Sequence, residues 1–157
     1  MKRVHFRWAV GAVLALGAVA AQAAGRLVIE GAWIRTAPPT AAMRAGYATL
    51  RNAGDAPLQI RRIRSDAFGD VSLHATVIDD GVARMREIDD LRMAPGEQVV
   101  LEPGGKHLML MQPAHELGAG ASVTLIFDLD DGASTATADF VVRDAEAATA
   151  ADEHAHH

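Results

Sequence analysis

The 157-residue chain contains no cysteine. Without a thiolate, it cannot perform disulfide exchange, use a cysteine nucleophile or build a cysteine-ligated blue-copper site. Beyond residue 23 it also lacks any apolar run of the roughly 20 residues that a membrane-spanning helix needs. A domain of this length can be stable without disulfides, so the missing cysteines limit the chemistry rather than the fold.

The one long apolar segment lies at the start of the chain and is typical of a secretory signal peptide. Three basic residues precede an apolar run over 8–20, and a small-x-small ending follows at 21–23. This layout predicts cleavage before Ala24, export to the periplasm and no membrane span in the mature chain. The alternative is a retained membrane anchor, for which the run is short.

Basic residues are outnumbered by acidic ones. The chain has 15 Lys and Arg residues against 20 Asp and Glu residues, and three of the basic residues lie within the predicted signal peptide. Cleavage therefore moves the formal charge from −5 to about −8. Binding to phosphate needs basic patches, so the composition argues against a nucleic-acid partner. An acidic surface favours a protein partner that presents a basic patch.

Sustained helical spacing and internal repeats are also missing from the mature chain. Period-two segments bounded by turn residues recur instead, which predicts an all-β fold built as an antiparallel sandwich or barrel. The predicted strands cover residues 27–34, 46–51, 58–64, 71–77, 82–88, 98–101, 107–111, 122–128 and 135–142. These segments predict a single domain over 24–143.

The last segment, DAEAATAADEHAHH over 144–157, has no face large enough to bury. It is predicted to be a flexible tail beyond the domain. It ends in His154, His156 and His157, a cluster that can bind a divalent ion such as Cu(II) as a secondary site. A vestige of a purification tag is the competing explanation.

A hairpin is predicted around the sequence IDDG at 78–81. With all four residues in the loop, His74 lies directly opposite Met85, close enough to share one ion. A two-residue loop makes the same two residues diagonal neighbours on one face. A three-residue loop places them on opposite faces of the sheet.

A second pair of donors lies in the sequence KHLMLM. In an extended chain, His107, Met109 and Met111 share one face, while Leu108 and Leu110 point into the core. Methionine often fills gaps in a core, so this stretch alone favours a structural explanation.

The two pairs together make a distinctive donor set. His74, Met85, His107 and Met109 would supply two imidazoles and two thioethers, a soft and neutral set that suits Cu(I). Zn(II) generally takes thiolate, imidazole or carboxylate, and Ca(II) takes oxygen. Each residue alone is more simply explained by packing, but four together in a chain without cysteine favour copper.

The spacing of these four residues, H-x10-M-x21-H-x-M, resembles the motif of the periplasmic PCu(A)C-type copper chaperones. The segments AWIRTAPPTAAMRAGYATLRNAGD, VSLHATVIDDGVARMREI and LEPGGKHLMLM are also similar to that family. The resemblance implies a cupredoxin-like β-sandwich in which His74, Met85, His107 and Met109 bind one Cu(I). It also implies delivery to a copper-accepting protein, such as a cytochrome c oxidase subunit or a thiol-bearing assembly factor.

Three other functions remain as alternatives at this point. A copper storage or scavenging protein would use the same ligands. A copper monooxygenase-like enzyme would need a vacant coordination position, whereas four protein ligands leave none. A metal-free adhesion or interaction sandwich would use none of these residues. We expect a monomer without enzymatic activity.

Several residues outside the motif are expected to be structural. Trp33 and Tyr47 are predicted to supply core volume, as large aromatic side chains usually do. Met43 and Met93 are predicted to be packing or surface residues, and Met111 a neighbour of the metal ligands.

Overall fold

The computed structural model describes residues 24–130 and 134–144. Within these ranges the chain forms ten strands and no helix, so no helix there could cross a membrane. The predicted signal peptide over 1–23 and the tail residues His154, His156 and His157 lie outside the described residues. The strands are β1 (Leu27–Arg35), β2 (Met43–Asn52), β3 (Leu58–Arg64), β4 (Phe68–Asp79), β5 (Val82–Glu87), β6 (Leu91–Met93), β7 (Gln98–Leu101), β8 (Lys106–Pro113), β9 (Ser122–Leu129) and β10 (Ser134–Arg143).

The strands form one continuous sheet in the order β5-β4-β8-β7-β2-β1-β10-β9-β3-β6, and β8 also pairs with β2. Most neighbours are antiparallel, but β1 pairs with β10, and β7 with β8, in parallel. Strands from both ends of this order share one hydrophobic core, so the sheet curls round and packs against itself. The predicted all-β, cupredoxin-like sandwich is therefore confirmed, with two parallel pairs added to the antiparallel arrangement.

The core follows from strict alternation along the strands. In β8, Leu108 and Leu110 are fully buried, as predicted. In β9, Leu125 and Phe127 are fully buried, whereas Ile126 between them is only half-buried. Burying side chains of this size contributes about 1.5–3 kcal/mol each. The inner face of β8 is thus fixed in the core, which leaves its outer face rigid and available.

The β4–β5 hairpin closes through two residues rather than four. Asp79 pairs with Val82, so only Asp80 and Gly81 form the turn. Their φ angles are 50° and 77°, the left-handed conformations of a type I′ turn, which aspartate and glycine tolerate. The four-residue loop predicted from the sequence is therefore wrong, and the two-residue alternative is correct.

Trp33 and Tyr47 are buried, but not in the main core. They form a separate cluster with Ala45, and their ring centres lie 4.6 Å apart. Trp33 pairs with Tyr47 across β1 and β2, on the outer face of the sheet. The prediction that they supply core volume is confirmed, but they do so in a smaller second cluster that arginine side chains cover.

Candidate metal site

The four predicted ligands lie on three adjacent strands. His74 is on β4, Met85 on β5, and His107 and Met109 on β8, and the sheet order places β4 between the other two. His74 pairs directly with His107, and their ring centres lie 6.2 Å apart. Ser72 pairs with Met109. Because alternate residues share a face, all four predicted ligands lie on the outer face of the sheet.

Met85 reaches this group diagonally. It pairs with Thr76, while His74 pairs with Glu87. His74 and Met85 are therefore diagonal neighbours on one face rather than direct partners, which corrects the predicted register. Diagonal neighbours have Cα atoms about 7–8 Å apart, a gap that a long methionine side chain can span.

The ring of His107 is held in one orientation. The side chain is 6% exposed, and its Nδ1 lies 3.2 Å from the carbonyl oxygen of Gly105. A carbonyl oxygen only accepts hydrogen bonds, so Nδ1 carries the proton in the neutral ring. The lone pair is then on Nε2, the tautomer that a metal ligand needs.

The ring of His74 has one nitrogen without a partner. Its Nε2 lies 3.0 Å from the Oγ of Ser72, whereas its Nδ1 is buried and makes no hydrogen bond. When Nε2–H donates to the hydroxyl, Nδ1 is left with a buried lone pair. Buried polar atoms are rarely left unsatisfied, so this nitrogen fits a metal that it would coordinate.

The two thioethers differ in exposure. Met109 is half-buried, while Met85 is 60% exposed on the edge strand β5, whose six residues are all exposed. The site is thus anchored on the β8 side and open on the β5 side. An ion held here would have one ligand that can swing away without disturbing the core.

A cleft of about 310 Å³ adjoins the site. Three predicted ligands line it, namely Met85, His107 and Met109, but His74 does not. Its other lining residues are Arg35, Met43, Arg44, Ala45, Tyr47, Thr76 and Gly104.

Two residues that reach the site were missed by the sequence argument. Ser72 contacts the ring of His74, and its position two residues before that histidine was a usable signal, because alternate residues share a face. Met43 lines the cleft and pairs with Met111 across β2 and β8. That pairing joins segments distant in sequence, so no local pattern could have revealed it.

Side chains that bind hard metal ions form no comparable cluster among the described residues. Within residues 24–130 and 134–144, no three side chains among His, Cys, Asp and Glu lie close enough together to hold a metal. His115 is exposed in the loop before β9. The two facing histidines therefore need the thioethers to complete a coordination set, and this favours a soft ion over Zn(II) or Ca(II).

Comparison with known proteins identifies the family. The family model described as "Putative lipoprotein LpqE-like" matches residues 27–142. The chain belongs to the LpqE-like family. This LpqE-like chain is 35% identical over 86 residues to an uncharacterised protein of Rickettsia prowazekii (strain Madrid E), covering 54% of the chain and 48% of that protein. It is 29% identical over 111 residues to a "Putative lipoprotein" of Leifsonia xyli subsp. xyli (strain CTCB07), covering 70% and 66%. The match thus spans less than two thirds of either relative.

Solved PCuAC domains have the same fold as this LpqE-like chain. The copper-bound PCuAC domain from PmoF2 is 22% identical, with a TM-score of 0.63, and the match covers 76% of the chain and 94% of the domain. The Cu(I) form of DR1885 from Deinococcus radiodurans is 26% identical, with a TM-score of 0.60, and the match covers 81% and 84%. The resemblance to the PCu(A)C-type family is confirmed.

Proposed function

We propose that this chain is a copper(I) carrier of the cell envelope that binds one Cu(I) through His74, Met85, His107 and Met109. The observation that carries this proposal is the buried Nδ1 of His74, which has no hydrogen-bond partner and belongs to a residue that pairs directly with His107. The copper-bound PCuAC domain from PmoF2 and the Cu(I) form of DR1885, which share the fold of this chain, support it.

The ligand set and its exposure favour delivery over catalysis. Four side chains fill the coordination positions of the ion, which leaves no vacancy for a substrate. The exposed thioether of Met85 gives an acceptor access to the ion. Thiolates bind Cu(I) more strongly than thioethers do, so transfer to a copper centre of cytochrome c oxidase or to a thiol-bearing assembly factor would run downhill.

The proposed location is the periplasm. The predicted signal peptide supports export, and the lipoprotein names of the family and of the Leifsonia protein fit a place in the cell envelope. Binding of Cu(II) by His154, His156 and His157 stays a prediction. Truncation after Asp144 should remove a Cu(II) signal and leave Cu(I) binding intact.

Competition with a Cu(I) chelator tests the ligand assignment. Changing both Met85→Leu and Met109→Leu keeps the size and apolar character of the side chains but removes both sulfur atoms, so affinity for Cu(I) should fall at least a hundredfold. Met111→Leu is the matched control, because it lies on the same face of β8 outside the four-residue set. Unchanged affinity in the double variant would show that the ligands are assigned wrongly.

A further inference from the structure

The cleft beside the proposed copper site is positively charged, although the chain as a whole is acidic. Its lining includes Arg35 and Arg44 but no aspartate or glutamate. The formal charge of the full chain is −5. The local charge at the cleft therefore has the opposite sign to the net charge, and local charge governs how a partner docks.

The two arginines retain unpaired charge. Arg35 is exposed, with its guanidinium carbon 5.8 Å from the ring centre of Tyr47. Arg44 is 2% exposed, and its Nε and Nη1 have no hydrogen-bond partner. Neither forms a salt bridge with a carboxylate of the described residues. Asp144, which follows β10, is hydrogen-bonded to Thr36 instead. A carboxylate supplied from outside would pair with the exposed guanidinium of Arg35.

Two exposed apolar side chains, Met43 and Met85, line the same cleft, and Ile78 lies beyond it on the same face of the hairpin. Met43, Ile78 and Met85 are 45%, 71% and 60% exposed. Ile78 pairs with Ala83, two residues from Met85, so it lies on the same face of the hairpin. Exposed apolar groups gathered beside a binding site indicate a surface that another protein covers.

A second cleft on the other side of His74 has a different charge balance. It is lined by Asp70, Glu87 and Asp89 together with Arg61 and Arg62. Carboxylates are thus present there to offset the arginines. Of these two clefts, only the one that Arg35 lines has arginines in its lining without a carboxylate.

We propose that the surface formed by Arg35, Met43, Ile78 and Met85 docks the copper-accepting protein, and that the acceptor presents an apolar contact flanked by carboxylates. The inference rests on the proposed function and adds the chemistry of the partner. It replaces the basic partner that the net charge predicts with an acidic one. Docking here would place the exposed ligand Met85 inside the interface, next to the acceptor's own ligands.

Rates of copper transfer test the charge of the partner. The Cu(I)-loaded chain is mixed with the apo binuclear copper domain of cytochrome oxidase at low and high salt. Arg35→Glu should slow the bimolecular rate about tenfold at low salt and much less at high salt. Arg92→Glu is the matched control, since Arg92 is exposed on β6 and does not line the cleft, and its replacement changes the net charge equally. Equal rates for the two variants, or faster transfer by Arg35→Glu, would overturn the proposal.

A matched pair of substitutions tests the apolar part of the surface. Ile78 and Val82 are both exposed near the hairpin turn but lie on opposite faces. Ile78→Ser should slow transfer, whereas Val82→Ser should not. Self-association of the parent chain in sedimentation, lost in both Arg35→Glu and Ile78→Ser, would assign the surface to a second copy and overturn the proposal.

Two measurements separate this proposal from the proposed function. Chelator competition should give the same Cu(I) affinity for the parent, Arg35→Glu and Arg92→Glu, and a parent that binds no Cu(I) would refute the carrier rather than the docking surface. Titration of the copper-free chain with deca-glutamate, followed by NMR, needs no acceptor. Chemical-shift changes caused by deca-glutamate should centre on Arg35 and Met43. If deca-glutamate caused none while deca-lysine bound at the same place, the proposal of an acidic partner would be overturned.

Discussion

At the residue scale, the site depends on groups that orient the ligands as much as on the ligands. The carbonyl oxygen of Gly105 sets the tautomer of His107, and the hydroxyl of Ser72 holds the ring of His74. Such contacts are worth roughly 10–100-fold in metal affinity where they have been removed from other proteins. The two histidines are thus pre-oriented by hydrogen bonds, while the thioethers are placed by strand register alone.

Removal of the Ser72 hydroxyl should weaken copper binding without unfolding the domain. In Ser72→Ala, Nε2 of His74 loses its partner, so affinity for Cu(I) should fall about tenfold in chelator competition. Ser122→Ala, at an exposed position on β9, is the control and should bind as the parent does. Parent-like affinity in Ser72→Ala would mean that the hydroxyl does not orient the ring.

At the scale of the element, the β4–β5 hairpin carries one ligand on each arm. Its turn fixes the register, and a slip of one residue would move Met85 to the other face of the sheet. The left-handed φ angles of Asp80 and Gly81 make that turn possible. The turn is therefore part of the proposed copper site, although no turn residue would touch the ion.

Gly81→Ala should disturb both the hairpin and the site. A Cβ at Gly81 would meet no atom within 4 Å, so the cost comes from the φ of 77° and not from a clash. We expect a loss of about 1 kcal/mol in unfolding free energy, measured by denaturant titration, together with weaker Cu(I) binding. Asp80→Asn keeps the preference for a type I′ turn and should leave the unfolding free energy and the Cu(I) affinity unchanged. If Gly81→Ala bound copper as tightly as Asp80→Asn, the turn would have no part in placing Met85.

At the scale of the whole molecule, stability and function lie on opposite faces of one curled sheet. The inner faces build a continuous core in which Leu108 and Leu110 anchor β8. The outer face carries soft donors, exposed apolar groups and the exposed Arg35. This division would allow the proposed Cu(I) to enter and leave without any change in the core.

The sequence predicted the bounds of the strands better than it predicted which strands pair. The bounds of β3 and β7 follow from alternation and flanking turn residues, and they match the prediction. The strand β6 was missed, because three residues give no measurable period. The register of the hairpin depends on the conformation of Asp80 in the turn. The roles of Arg35 and Met43 depend on which strands lie beside β2. Contacts of this kind depend on pairing between distant segments, which local spacing does not encode.

X-ray absorption at the copper edge of the Cu(I)-loaded chain tests the central claim most directly. The account predicts Cu(I) with two nitrogen and two sulfur neighbours, and loss of the sulfur signal when Met85 and Met109 are both changed to leucine. A parent spectrum with only nitrogen and oxygen neighbours, or a sulfur signal that survives the double change, would contradict it.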